Sequence, residues 1–184
     1  MRSLHKNLCV LLASLLLNAC TRWGDLPLLQ IDPAALGPAQ VAQQRMQLSW
    51  RGETHVLENV LESGPDGLQV VGLAMGLRVY SFSYDGHKLQ TGPGHLPRGL
   101  SEQRIANDLL LTHAPLDALV NAMPVGWQIT EQTTAAGQRQ RLLQQDKETV
   151  IEVKYDAGAP WAGRSVLIHH RDGYQLILDS VSET

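Results

Sequence analysis

Four side chains near the carboxyl end have the types used in nucleophilic catalysis, namely Ser165, His169, His170 and Asp172. A serine, a histidine and an aspartate that meet in space can hydrolyse an ester or an amide. The dipeptide Asp172-Gly173 predicts a tight hairpin turn, whose register places His169 opposite Leu176 and puts the two histidines on opposite faces of their strand. The chain also lacks a Gly-x-Ser-x-Gly motif. We therefore expect solvated strand residues rather than a catalytic triad.

The sequence gives no indication of metal, cofactor or nucleic-acid binding. The adjacent histidines lack the His-x-x-x-His or carboxylate spacing of a metal site, and the chain has no glycine-rich phosphate loop. The 18 Asp and Glu residues outnumber the 15 Lys and Arg residues, and the formal net charge is −3. A mildly acidic chain is atypical of proteins that bind nucleic acid. We expect a protein that is not an enzyme and that has no cofactor.

The second of the two cysteines, Cys20, lies in a sequence context that indicates lipid modification. Arg2 and Lys6 precede an apolar run of about ten residues, Leu8 to Leu17, which is typical of a secretory signal and too short to span a bilayer. The tetrapeptide Leu17-Asn18-Ala19-Cys20 resembles the lipobox of bacterial lipoproteins, in which the cysteine is alkylated with diacylglycerol and becomes the new N-terminus. The resemblance implies that Cys20 is a membrane anchor. An ordinary cleaved signal and an uncleaved anchor helix are the alternatives.

The lipobox divides the chain into three segments. Residues 1–19 are the predicted signal peptide, residues 20–40 a lipidated N-terminus and tether whose apolar residues lie along the domain, and residues 41–184 a single domain. Residue 21 is a threonine, whereas an aspartate after the cysteine resembles an inner-membrane retention signal. The resemblance therefore implies an outer-membrane location facing the periplasm.

Alternating apolar and polar residues predict an antiparallel sheet of about nine or ten strands. In one strand, Tyr80, Phe82 and Tyr84 share a face that we expect to be the inner one. The following Asp85-Gly86 predicts a two-residue hairpin turn, which pairs Phe82 with Leu89. We predict strands over residues 43–51, 54–61, 68–74, 77–84, 127–131, 138–144, 148–155, 164–171 and 174–181.

Two helices are predicted between the two runs of strands. Ser101 is a suitable N-cap for a helix through Leu111, and Pro115 begins a second helix. The second helix places apolar residues at i, i+3, i+4 and i+7, which forms a stripe that must bury against the sheet. The stripe consists of Leu116, Leu119, Val120 and Met123.

This order of elements resembles a known family. A lipobox, a run of strands, the hairpin-loop-helix passage Tyr84 to Pro124 and a closing hairpin are similar to the outer-membrane lipoprotein receptor LolB and its periplasmic relative LolA. More narrowly, the chain resembles LolB-like lipoproteins encoded beside aryl-polyene pigment genes. The resemblance implies a mainly β (α+β) fold, an incomplete antiparallel β-barrel covered by the central helices, with an apolar cavity for acyl chains. The predicted cavity-lining residues are Trp50, Tyr80, Phe82, Ile105, Leu109, Leu116, Leu119, Val120, Ile151 and Val153.

The same resemblance implies a function. LolB carries an exposed apolar side chain between its third and fourth strands that hands lipoproteins to the membrane, and Leu73 or Met75 matches that position unless both pack under the hairpin. We expect an anchored carrier that transfers an acyl chain, lipid or lipoprotein, such as an aryl-polyene lipid, with a periplasmic carrier protein as a possible partner. The alternative is a scaffold with a filled core that acts through protein contacts in an envelope synthesis or export complex.

Overall fold

The fold is described from a computed structural model, for residues 25–94, 96, 100–156 and 160–183. The predicted signal peptide and the predicted anchor Cys20 lie outside the described residues. Among the described residues, neither helix has the length and hydropathy needed to cross a bilayer.

Ten antiparallel strands form one open sheet. Its order is β5-β4-β3-β2-β1-β10-β9-β8-β7-β6, so the first and last strands pair at the centre and β5 and β6 are the two edges. The predictions of a mainly β fold and of about ten antiparallel strands are confirmed. The strands are β1 (Gln40–Trp50), β2 (Glu53–Gly64), β3 (Gly67–Ala74), β4 (Leu77–Tyr84), β5 (Leu89–Thr91), β6 (Trp127–Thr133), β7 (Arg139–Gln145), β8 (Glu148–Tyr155), β9 (Gly163–His169) and β10 (Tyr174–Glu183).

The two ends of the sheet are defined by their turns. The upper end carries the turns at residues 51–52, 75–76, 146–147 and 170–173, and the lower end carries those at 65–66, 85–88 and 134–138. One face of the sheet is buried, because side chains alternate between the two faces of a strand. In β1, Met46 and Leu48 are buried, whereas Gln43 and Arg45 are exposed.

Two helices, α1 (Glu102–His113) and α2 (Leu116–Ala122), connect β5 to β6. The Ser101 side chain caps α1 by accepting a hydrogen bond from the amide of Arg104 at 3.2 Å, as predicted. Every residue of α1 from Ile105 to His113 is buried. Because side chains from β1, β7, β8 and β10 all reach α1, the sheet must curve around the helix.

Residues 25–31, which we call the strap, lie against α1, where the Asn107 side chain forms hydrogen bonds with Pro27 and Leu29. Leu29 and Ile31 of the strap are buried in the core, which confirms that these apolar residues lie along the domain. A short 3-10 helix, Pro33–Leu36, follows, with a proline at its first position. The strap thus completes the cover that α1 begins.

Two predicted hairpin registers are wrong. Tyr84 pairs with Leu89, and Phe82 with Thr91, because Asp85 Oδ1 accepts hydrogen bonds from the amides of His87 and Lys88 at 2.9 and 2.7 Å and so builds a four-residue loop.

The closing hairpin differs in the same way from its prediction. His169 lies opposite Tyr174 and not opposite Leu176, since the connection is again a four-residue loop. Gly173, at φ 66°, donates to the carbonyl of His169 at 2.9 Å, and the His169 ring accepts from the amide of Asp172 at 3.1 Å. Loop hydrogen bonds of this kind overrode the two-residue turn signal in both hairpins.

A glycine on the inner face of β3 allows the packing of the buried sheet face to be tested. Gly72 lies beneath Tyr80, and a Cβ added there would overlap the tyrosine ring. We expect Gly72→Ala to lower the free energy of unfolding by about 1–3 kcal/mol, because overpacking displaces a buried ring. Gly64→Ala is the matched control, since its added Cβ finds its nearest neighbour at 4.0 Å. Urea unfolding of both variants measures the difference, and equal stabilities would contradict the packing described.

Candidate functional site

The candidate site is the buried face of the sheet together with α1. Nine of the ten predicted cavity residues belong to one hydrophobic cluster there. Trp50 and Leu116 lie at its partly buried margin, while the fully buried members are Tyr80, Phe82, Ile105, Leu109, Leu119, Ile151 and Val153.

Val120 does not join this cluster, and the predicted four-residue stripe is wrong in this respect. The Val120 side chain is 51% exposed. Helix α2 has only seven residues, of which Leu119 alone is buried. The next residue along a helix points about 100° away, so the burial of Leu119 turns Val120 towards solvent.

Helix α1 occupies the concave side of the sheet. A cavity of about 90 Å³ opens at the upper end, which is well below the roughly 300–1,000 Å³ of typical small-molecule sites. The interior in this conformation therefore contains a helix where the family resemblance implies a lipid cavity.

Polar contacts hold the first half of α1 at the upper end. Tyr174 donates its hydroxyl proton to Asp108 Oδ2 at 2.7 Å, and Arg104 Nη1 donates to Asp172 Oδ2 at 2.6 Å. The His169 ring lies 3.3 Å from the same Asp172 oxygen and packs against the Tyr174 ring with 4.8 Å between centroids. These contacts fix α1 against β10 through side chains that are buried or half-buried.

A second polar group holds the end of α1 at the lower end. Arg141 Nη1 donates to the carbonyls of Leu111 and Ala114 at 2.9 and 2.7 Å, which satisfies carbonyls that a helix terminus leaves without partners. The Tyr155 hydroxyl donates to the carbonyl of Thr112 at 2.7 Å. Because these donors come from β7 and β8, both termini of α1 are fixed to the same half of the sheet.

The strap is held by two side chains. The Tyr84 hydroxyl donates to the carbonyl of Leu29 at 2.6 Å and accepts from the amide of Ile31 at 2.8 Å. From α1, the Asn107 side chain accepts from the amide of Leu29 at 3.0 Å and donates to the carbonyl of Pro27 at 2.9 Å. Strap and helix therefore form one covering layer.

Burial shifts the pKa values of Asp108 and His113 on α1 and of His169 on β9. Burial raises the pKa of Asp108 to about 7, although the hydrogen bond from Tyr174 and the charge of Arg104 oppose the shift. Burial lowers the pKa of His113 to about 3 and that of His169 to about 4. Both imidazoles are therefore neutral at physiological pH.

Apolar side chains project from the upper end. Met75, at φ 49°, forms the turn between β3 and β4 with Gly76 and is 98% exposed. Leu77 after this turn and Val125 before β6 are also exposed, and the sequence analysis did not identify either. Of the two predicted membrane-transfer residues, the structure exposes Met75.

Leu73, the other predicted transfer residue, lies elsewhere. It lines a groove of about 540 Å³ on the outer face of the sheet, together with Val60 and Val181. The strap reaches the upper end at Asp25, which lines the small cavity there with Arg104. Asp25 lies five positions after the predicted anchor Cys20, a span of at most about 18 Å.

The four side chains with catalytic types do not form a triad. His169 and Asp172 lie together, but Ser165 is buried within β9 and pairs with Tyr155 of β8. Within the part of the chain that the structure describes, no group of three His, Cys, Asp or Glu side chains is placed to bind a metal. The half-buried Arg104 and the buried Asp108 and Arg141 were not predicted from the sequence. The available signal was Asn107-Asp108, two adjacent polar residues within the otherwise apolar run 105–111.

Comparisons with known proteins give a family and two similar folds. The family described as "Protein of unknown function (DUF3261)" matches residues 41–182. A LolA superfamily protein from Nitrosomonas europaea is similar at 10% identity and TM-score 0.46, covering 86% of this chain and 92% of its own. A DUF1329 family protein from Desulfovibrio piger is similar at 9% identity and TM-score 0.38, covering 78% and 84%. No curated protein matches the chain.

The raised pKa of Asp108 predicts a pH dependence of stability. The folded value of about 7 exceeds the ordinary value of 3.8, so the contribution of Asp108 is fully present below pH 3.8 and is lost as the pH rises through 7. Asp108→Asn removes this dependence. Between pH 4.5 and 8, we therefore expect the free energy of unfolding to fall less in the variant than in the parent protein. The difference is at most about 1.4 kcal/mol for each unit by which the folded pKa exceeds the ordinary value.

Urea unfolding across this pH range measures the difference between the two proteins. The exposed Asp117→Asn is the control, and its curve should run parallel to that of the parent protein. A parallel curve for Asp108→Asn as well would contradict the raised pKa.

Proposed function

We propose a function from the premise that this chain belongs to the DUF3261 family, whose members are proteins of unknown function. The protein is a non-enzymatic envelope lipoprotein that binds an acyl chain or lipid-linked cargo on the concave face of its sheet and helps to transfer that cargo to a membrane. The lipobox resemblance favours anchoring through Cys20 in the outer membrane, facing the periplasm. The family resemblance favours an aryl-polyene lipid or a lipoprotein as cargo, delivered by a periplasmic carrier protein.

The cover over the apolar face is the observation that carries this proposal. Helix α1, Leu119 of α2 and the strap cover the buried side of an open ten-stranded sheet. If α1 moves outward, Asn107, Asp108 and His113 regain water, which offsets the polar contacts that they lose. An acyl chain can then cover the exposed apolar side chains at about 25 cal/mol per Å² of buried area. Because α1 also buries Leu109, Leu110 and Leu111, the bound acyl chain has to offset the exposure of these side chains as well.

The upper end supports the transfer step. Met75, Leu77 and Val125 are exposed there, and apolar side chains on protruding turns favour contact with a membrane. The strap reaches the same end within a few residues of the predicted anchor, so a lipidated Cys20 would hold these turns near the bilayer surface. Cargo released from the concave face would meet the membrane directly.

The filled interior favours a second candidate. Because the upper cavity measures only about 90 Å³, the same domain could act as a scaffold that never admits a lipid. In that case α1 is a permanent part of the core, and the protein functions through its surface in an envelope complex.

Uptake of a fluorescent fatty acid distinguishes the two candidates. The chain carrying Cys20→Ser avoids lipidation and removes the anchor as a competing ligand. We expect this protein to bind the probe. We expect Asn107→Ala to accelerate uptake about five- to tenfold, because the Asn107 side chain contributes roughly 1–1.5 kcal/mol to holding the strap closed. Asn121→Ala on the exposed side of α2 is the matched control. If neither the parent nor Asn107→Ala binds the probe, the carrier proposal fails and the scaffold remains.

Transfer to vesicles tests the upper end. We expect Met75→Asp to slow release of bound fatty acid into phospholipid vesicles at least about fivefold, because a charge on the turn opposes insertion into the apolar layer. Val181→Asp is the control, as an exposed apolar residue of the outer face. Equal slowing by both substitutions would indicate a general effect of charge and contradict a specific role for Met75.

A further inference from the structure

The small cavity at the upper end has charged side chains of both signs at its mouth and an apolar floor. It lies between the strap, the first turn of α1 and strands β8 to β10. Arg104 and Arg171 line it beside the indole of Trp127, and Val150 and Ile151, both buried, lie beneath them. The cavity of about 90 Å³ accommodates a small polar group and a few attached carbons, but not a long chain.

Among the described residues, the Arg104 guanidinium group donates one hydrogen bond at this mouth. The side chain is 24% exposed and forms an ion pair with Asp172 through Nη1 at 2.6 Å. This bond uses one of the five N–H donors of a guanidinium group. The group also lies over the Tyr174 ring, 5.7 Å from its centroid, which limits its movement. Arg104 is therefore a positioned cation that can bind a second anionic oxygen while keeping Asp172.

Three acidic side chains line the cavity together with the two arginines. Asp172 is engaged by Arg104 and lies 3.3 Å from the His169 ring, and Asp108 accepts its hydrogen bond from Tyr174. Asp25, on the strap, also lines the cavity. Two of the three acidic side chains are therefore held by their own partners.

We propose that this cavity binds the anionic head group of an amphiphile, with its carboxylate or phosphate on Arg104 and its first carbons against Trp127 and Ile151. The inference rests on the proposed carrier function, because it assigns the position of the polar end of the cargo. A longer chain continues from the floor along the seam between α1 and β8 when the helix moves. Arg104 selects the charge of the cargo, and the apolar face of the sheet accepts its chain.

Calorimetric titration of the full chain carrying Cys20→Ser tests this assignment with three probes, namely hexanoate, hexyl phosphate and inorganic phosphate. Binding of hexanoate indicates a fatty-acid carboxylate, and tighter binding of hexyl phosphate indicates a phospholipid-type head group. We expect Arg104→Gln to weaken the better amphiphile at least about tenfold, as loss of a charge-assisted hydrogen bond does. Inorganic phosphate binding as tightly as hexyl phosphate would overturn the amphiphile site in favour of a free-anion site.

Because Arg104→Gln also leaves Asp172 without its partner, an exposed position at the same mouth provides a second test. Gln103 is exposed and lines the cavity, so its substitution leaves the core intact. We expect Gln103→Glu to weaken and Gln103→Lys to strengthen amphiphile binding, each by about threefold, as one nearby charge does at a partly exposed site. The same two substitutions at Gln69, exposed at the lower end, are the controls.

The outcomes separate this inference from the proposed function. Unchanged amphiphile affinity in the Arg104 and Gln103 variants, with long-chain fatty acid still taken up, would overturn the head-group site alone. Absence of both short-amphiphile binding and long-chain uptake would overturn the carrier function and the head-group site together.

Discussion

The need to cover one apolar sheet face governs the rest of this structure. Ten antiparallel strands place their apolar side chains on the same side, and an open sheet cannot cover that side by closing on itself. The chain solves this mainly with helix α1, around which the sheet curves, together with the fully buried Leu119 of α2 and the strap that lies against α1. The position of the strap and the location of the upper cavity both follow from this arrangement.

Four polar side chains of α1 fix the cover in place. Arg104, Asn107, Asp108 and His113 all lie on α1, and each interacts with the strap or with the sheet. Buried polar networks add specificity of position more than they add net stability, because each group gives up water to form its contacts. A helix held in this way has one well-defined position against the sheet. The proposed function treats α1 as a displaceable cover, which requires that a bound acyl chain offset both these contacts and the burial of Leu109, Leu110 and Leu111.

The sequence predicts the strands well, because their alternation reports directly on one buried face, and β8 begins and ends where the pattern predicts. It fails where side chains act on the backbone. Asp85 widens one hairpin and His169 another, and neither effect is visible in a dipeptide turn signal. At the candidate site, the aromatic residues Tyr80 and Phe82 are predicted correctly as buried. The partners Asp108 and Tyr174 are 66 residues apart, and no local pattern links them.

Amide hydrogen exchange of α1 in the native protein tests the displaceable cover most directly. A displaceable cover predicts that α1 and the strap exchange together through an opening that costs several kcal/mol less than exchange of the central strands β1 and β10, which open only on global unfolding. It also predicts that bound fatty acid changes protection in α1 before it changes protection in the strands. If the amides of α1 exchange only at the free energy of global unfolding, together with those of β1 and β10, then the helix is a fixed part of the core and the account is contradicted.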